Sequence, residues 1–303
     1  MQVLRLPRPS ACSLGVIAAI AVAGCGTSAG PARPGAATSP SAAAPPTALP
    51  KGGVSVPNAD STPRQGRPWL LTIGDSITYG YTEDPGRAGV NSGWPVQLMT
   101  LLATSGRSWQ LVDTACPGET LVTYRTGCPE AIAAGLGGAT QHDLALQDIR
   151  THRADLRAVF VDLGSNDLLE GYRTGAAANP AALIDQIGTR LNAILVELTA
   201  AAPGVPIVVA NYYDPLANID PSTLTGVAAA NATVSAIATK DGARLADFAS
   251  AVNTAPPPDP HLCSLVDCLH LDIHPTIAGQ AALASVAFQV LIGTHPTPAA
   301  PRT

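Results

Sequence analysis

Between residues 67 and 293 short apolar runs alternate with long segments of helical periodicity, and this alternation constrains the fold most. Trp69-Leu-Leu-Thr-Ile73, Gln110-Leu-Val112, Ala158-Val-Phe-Val-Asp-Leu163, Pro206-Ile-Val-Val-Ala210 and Arg244-Leu-Ala-Asp-Phe248 read as strands. Trp94–Leu102, Gln141–Thr151, Pro180–Ala201, Ser222–Thr239 and Thr276–Leu291 read as helices. In the third, Leu183, Ile187, Leu191, Ile194, Leu195 and Leu198 fall on one stripe. Most of the strands are continuous apolar runs. Parallel strands buried on both faces read this way. The expectation is one three-layer α/β/α domain around a five-stranded parallel sheet. Ligands of such sheets bind beyond the carboxyl ends of the strands.

Three strand ends and one late loop carry polar residues of a coherent kind. Ile73-Gly74-Asp75-Ser76-Ile77 follows strand one, and Cys116-Pro117-Gly118-Glu119-Thr120 follows strand two. Gly164-Ser165-Asn166-Asp167 follows strand three, and Asp272-Ile273-His274-Pro275 precedes the last helix. Serine hydrolysis needs a nucleophile, a base, an orienting acid and donors for an oxyanion. These four segments supply every part.

In their order and placement, these blocks resemble the SGNH/GDSL hydrolases, a family of esterases and lipases. The resemblance spans about residues 69 to 292. It implies a flavodoxin-like α/β/α fold and ester hydrolysis without a cofactor or metal. It implies Ser76 as nucleophile and His274 as general base. It implies an oxyanion hole of the Ser76 N–H, the Gly118 N–H and the Asn166 side-chain amide. The family places its acid three residues before the histidine, where this chain has Leu271. Asp272, two before, is the candidate, acting through its carboxylate or through its own C=O.

Other readings stand beside these. Asp75 reads as a turn residue bonding nearby N–H groups. His270 and His274 are four apart, as in a helical metal pair, but Pro275 disfavours helix across them. Trp94, Tyr79 and Tyr81 lie near the serine block and are candidates for an acyl pocket or for packing. An acyltransferase would use the same residues, and a silent envelope binding protein would keep only the fold. The substrate expected is a small-molecule, lipid or carbohydrate ester, and the protein is expected to be a monomer.

Charge and cysteines narrow the setting. The formal net charge is −5, and Lys51 and Lys240 are the only lysines, so the basic footprint of a nucleic-acid binder is missing. No apolar run reaches the roughly 18 residues of a membrane span. Cys116, Cys128, Cys263 and Cys268 form an even set, which in an exported chain reads as two disulfides. Of three pairings, the short-range one, 116–128 with 263–268, is expected. Closing the first loop is worth about 3 kcal/mol by chain entropy. The spacing C-x11-C fits a zinc pair poorly.

The first 25 residues read as an export signal. Arg5 and Arg8 precede a run of small apolar residues from Ala11 to Ala23. Val22-Ala23-Gly24-Cys25 resembles a bacterial lipobox, with Cys25 lipidated, while cleavage after Ala23 also fits. Residues 26–66, with nine prolines between Cys25 and Trp69, read as a flexible tether, and residues 294–303 as a similar tail. The expected location is therefore the cell envelope, on the outer face of the membrane through a lipid anchor, or outside the cell if cleavage comes first. Replacing Cys25 by alanine is expected to release the protein from the membrane fraction. Fractionation with an antibody to the folded domain checks this, and an unchanged membrane share refutes lipidation.

Overall fold

The strand expected at Trp69 becomes β1 (Trp69–Gly74), with all six residues buried. The computed structural model describes residues 62–84, 93–133, 138–175, 179–270 and 272–293. The expected export signal with Cys25, the tether up to residue 61 and the tail from residue 294 lie outside the described residues. After β1 come α1 (Ser76–Tyr79), α2 (Trp94–Thr104), β2 (Gln110–Asp113), α3 (Pro129–Ala133) and α4 (Gln141–His152). Then follow β3 (Leu156–Asp162), α5 (Ser165–Thr174), α6 (Pro180–Ala201) and β4 (Ile207–Ala210). The chain continues with α7 (Thr223–Asp241), β5 (Arg244–Ala246), α8 (Phe248–Val252), α9 (Leu262–Leu265) and α10 (Ile277–Ile292).

The five strands form one parallel sheet in the order β2-β1-β3-β4-β5. β1 pairs Leu70 with Leu111 of β2 on one side and Leu71 with Val159 of β3 on the other. The chain therefore reverses its direction of winding between β1 and β3. That switch point is where an open α/β sheet leaves a crevice beyond its strand ends.

The strand period of two divides the core in two. Trp69, Leu71, Ile73, Val159, Val161 and Val209 pack with residues of α4, α6 and α7. Leu70, Ala158, Phe160 and Val208 pack with residues of α2, α8 and α10. On α6, Ile187, Leu191, Ile194, Leu195 and Leu198 are at most 1% exposed. Truncating any one to alanine costs about 2–5 kcal/mol. Leu183, expected on the same stripe, is only partly buried. Helix starts follow local chemistry: the Thr140 hydroxyl caps α4, Asn179 caps α6 ahead of Pro180, and Thr276 caps α10.

Several local expectations change. The segment after β3, to which the sequence assigned no element, holds the helix α5 from Ser165. Phe248 leaves the expected fifth strand and opens α8, since Asp247 caps that helix by accepting the Ser250 N–H. The last residues of the expected tether are held to the domain. Gly66 N–H donates to Asp155 at 2.7 Å, and Arg64 N–H donates to the Gln110 side chain at 2.9 Å. The cysteines pair as 116–128 and 263–268, with Cα separations of 5.8 and 5.2 Å.

Candidate active site

β1 ends at Gly74 and the chain turns at once into α1. Asp75 caps this short helix, its Oδ1 accepting the Ile77 N–H at 2.8 Å. The turn makes Ser76 the first helical residue beyond the carboxyl end of the strand. The Ser76 hydroxyl lies 2.9 Å from His274 Nε2. His274 Nδ1 lies 2.5 Å from Asp272 Oδ1, and Asp272 Oδ2 accepts the Glu83 N–H at 2.9 Å. All of Ser76, Asp272 and His274 are buried.

Burial pushes the Asp272 carboxyl up, but hydrogen bonds from His274 and the Glu83 backbone outweigh it and hold the group below its ordinary range. The ionised carboxylate accepts the Nδ1 proton. That fixes the imidazole tautomer and leaves Nε2 free to accept the serine proton. The two-residue spacing works because Asp272 Oδ1 also accepts the His274 N–H at 3.3 Å, in a tight Asx-type turn. The loop is pinned from behind. Asp267 N–H donates to the His274 C=O at 3.0 Å, and Val266 bridges Pro275. Tyr81 packs its ring on His274, centroids 4.9 Å apart.

Gly118 sits in the loop after β2 with φ +79°, a conformation open mainly to glycine. The 116–128 disulfide closes this loop, and the Cys116 N–H donates to the Gly74 C=O at 3.0 Å. Asn166, in the first turn of α5, donates to the Glu119 C=O at 2.9 Å and to Asp75 Oδ2 at 3.2 Å. The Ser76, Gly118 and Asn166 segments therefore meet. Both amide hydrogens of Asn166 already have protein acceptors, whereas among the described residues no protein acceptor takes the Ser76 or Gly118 N–H. Gly164, just before α5, adopts φ +115°, and a Cβ there would meet the Tyr212 hydroxyl at 2.2 Å. That glycine lets α5 start close to the sheet edge.

Asp75 does more than shape a turn. It caps α1 and also receives the Ser165 hydroxyl and the Asn166 amide from α5. Burial, reinforced by the neighbouring Asp162 charge, pushes its carboxyl well up. Sequence reasoning missed Asp162, Thr78, Glu119 and Gln141. Asp162 accepts the Thr78 hydroxyl at 2.8 Å and the Trp94 indole N–H at 3.4 Å. An acidic residue at the end of an apolar strand run, Ala158-Val-Phe-Val-Asp162, was the available signal. Gln141 grips both backbone groups of Gly74 and donates to Glu119 at 2.7 Å. Burial pushes the Glu119 carboxyl up to about 7.

Trp94 is fully buried, packing against Phe160 and Phe248 as a core residue. His270 Nδ1 lies 2.8 Å from both oxygens of Asp267, which raises its pKa, and His274 faces Ser76 instead.

The family model for GDSL-like lipases and acylhydrolases matches residues 72–282. The chain belongs to this family. It is accordingly an ester hydrolase. Solved structures share its fold at low identity. An acetylxylan esterase from Geobacillus stearothermophilus, Axe2, is 19% identical with a TM-score of 0.51, over 75% of this chain and 94% of that one. A GDSL-like lipase candidate from Parabacteroides merdae is 15% identical with a TM-score of 0.54, over 76% and 98%. No curated protein matches the chain in sequence.

In this GDSL hydrolase, burial pushes Asp162 up to about 6. Unfolded, an aspartate titrates near 3.9, roughly. Between those pH values the folded state holds more protons, so the contribution to stability falls as pH rises. Asp162→Asn keeps an acceptor for Thr78 and Trp94 and removes the titration. Urea unfolding is expected to show a flatter decline between about pH 4 and 6 and a gain of about 1–3 kcal/mol at pH 7. Equal slopes in both proteins would contradict a proton held by Asp162.

Proposed function

We propose that this enzyme is a serine carboxylester hydrolase that works through an acyl-enzyme on Ser76. The observation that carries the reading is the unbroken chain from Ser76 Oγ through His274 to Asp272, with contacts of 2.9 and 2.5 Å. Ser76 Oγ attacks the ester carbonyl carbon as His274 Nε2 takes its proton. The oxyanion that forms is held by the Ser76 and Gly118 N–H groups. Asn166 joins them by turning the hydrogen of its longer bond, the 3.2 Å contact to Asp75, toward the oxyanion. His274 then gives its proton to the leaving alkoxide, and the C–O bond to the alcohol breaks. Water, deprotonated by His274, attacks the acyl-enzyme, and the acid leaves with Ser76 restored.

Action outside the cytoplasmic membrane is part of the proposal. The signal-like first 25 residues support it, as does the use of four cysteines in two bridges, which suits an oxidising compartment.

A fluorophosphonate probe tests the nucleophile. Wild type is expected to gain the probe mass on the peptide holding Ser76, and Ser76→Ala to gain none. Asp272→Asn is expected to lower kcat about 10³–10⁴-fold, by analogy with the tautomer loss seen when a triad aspartate becomes asparagine. A loss under about tenfold would assign the orienting role to a backbone carbonyl. Asn166→Ala is expected to lower kcat about 10²–10³-fold with little change in KM. A turnover within about twofold of wild type removes Asn166 from the oxyanion site.

A further inference from the structure

A cavity of about 510 Å³ lies between α5, α6, α7 and the loop after β4. Ile77 and Ile273, the chain neighbours of Ser76 and His274, are among its walls. Ser76 and His274 themselves are not in the wall, so the cavity reaches the site through their chain neighbours. Further in, Leu168, Leu183, Ile184 and Val227 make the lining aliphatic. Leu183 is the residue that left the buried stripe of α6. Tyr79, Tyr81 and Trp94 take no part in the lining.

Most hydroxyls of the wall are committed to protein acceptors. The Tyr212 hydroxyl donates to the Leu163 C=O at 2.9 Å, and the Tyr213 hydroxyl to the Ile273 C=O at 2.8 Å. The Tyr172 hydroxyl donates to Asp220, and the Thr223 hydroxyl donates to Asp214 at 2.6 Å. Asp214, the charged residue of the lining, also accepts the Leu216 N–H at 2.9 Å. No Lys, Arg or His lines the space. A sugar or an anionic headgroup entering here would lose its water hydrogen bonds without replacement, at a cost of about 1–3 kcal/mol for each group. A hydrocarbon chain loses nothing of that kind and buries apolar area.

We infer that this cavity is the acyl pocket and that the preferred substrate is the ester of a medium- to long-chain fatty acid, not an acetyl ester. The inference rests on Ser76 being the nucleophile. Ile77 and Ser165 are the chain neighbours of Ser76 and Asn166, two of the oxyanion donors. On this reading the acyl chain runs past Ile77 and Ser165 into the cavity, and the alcohol leaves on the His274 side. Volumes of this order hold drug-sized ligands, so an acetyl group would leave nearly all of it to water.

The test uses p-nitrophenyl esters from acetyl to decanoyl, kept below micelle formation, and beside them acetate esters of alcohols of rising length. A buried methylene is worth up to about fourfold in rate. The kcat/KM is expected to rise at least tenfold from acetyl to octanoyl or decanoyl along the first series and to stay flat along the second. Gly226 supplies a variant. It lies in α7 on the cavity wall, and a Cβ added there meets open space. Gly226→Phe adds a ring at this wall from an unhindered Cβ and replaces a poor helix former. Its ratio of decanoyl to acetyl kcat/KM is expected to fall at least tenfold. Calorimetry with Ser76→Ala is expected to show decanoate binding that Gly226→Phe removes in the double variant.

A profile that peaks at acetyl, a rise along the alcohol series instead of the acyl series, or an equal loss on every ester in Gly226→Phe each overturns the acyl pocket. Two failures separate cleanly. Fluorophosphonate labelling of Ser76 together with acetyl preference leaves the serine mechanism standing and removes the pocket. Decanoate binding without labelling removes the nucleophile and leaves the cavity as a fatty-acyl site.

Discussion

The site depends on a buried carboxyl with no ion-pair partner among the described residues. Asp75 is wholly buried, and the charge that acts on it most is that of another acid, Asp162. A group in that position persists only if hydrogen bonds replace its water. Asp75 takes the Ile77 N–H from its own turn and the Ser165 hydroxyl and Asn166 amide from α5. Satisfying one carboxyl thus ties the end of β1 to the start of α5, across the switch point of the sheet. Ser76 and Asn166 are neighbours of the atoms so tied. Losing either side leaves the other with a buried unpaired group, so the two segments are coupled more tightly than packing alone would make them.

The remaining catalytic segments are fastened to the same turn. Gly74 accepts the Cys116 N–H through its C=O, and Gln141 holds both of its backbone groups. The Ile77 C=O accepts from Gln280 of α10 at 3.1 Å. The histidine loop is separately braced, since Asp267 bonds the His274 C=O one residue before Cys268. Each disulfide closes a loop next to a functional residue, Gly118 in one case and the Asp272–His274 pair in the other. Their value is therefore positional as well as entropic: they limit the loop motions that would open a 2.9 Å serine–histidine contact spanning 198 positions of chain.

The large features were legible because they rest on periodicity. Five apolar runs became five parallel strands, and α6 matches its expected limits at Pro180 and Ala201. The segments of Ser76, Gly118, Asn166 and His274 were legible as candidates because each follows a strand end or precedes a helix, and the structure brings them together. The structure then supplies what one-dimensional patterns do not carry. The helix α5 hides in Ser165–Thr174 because its buried face is short and interrupted by Gly171, which admits the Leu183 side chain within 2.3 Å of where a Cβ would stand. Asp75 looked like a turn residue because its second oxygen is used by a segment 90 positions away. Trp94 stood open between a pocket wall and packing because sequence proximity to Ser76 does not say on which side of the sheet a helix packs. Asp272 departs from the family spacing, and only three-dimensional geometry shows its carboxylate reaching the imidazole.

The same geometry links scaffold to specificity. α5 carries Asn166 at its first turn and Leu168, Leu169 and Tyr172 toward the cavity. Its start is fixed by Gly164, whose missing side chain lets the Tyr212 hydroxyl reach the Leu163 C=O. Tyr212 in turn lines the cavity with its proton already committed. This contact ties Leu163, just before α5, to the loop after β4 and removes a free donor from the cavity wall. On the proposed reading, the acyl pocket and one oxyanion donor share α5. A change that shifts α5 to admit a different acyl chain also moves Asn166 relative to Ser76. The far wall on α7 is tied to the same loop at Asn231, which accepts the Tyr212 N–H at 2.9 Å and donates to its C=O at 2.8 Å, whereas Gly226 takes no part in those bonds and has open space where a Cβ would stand.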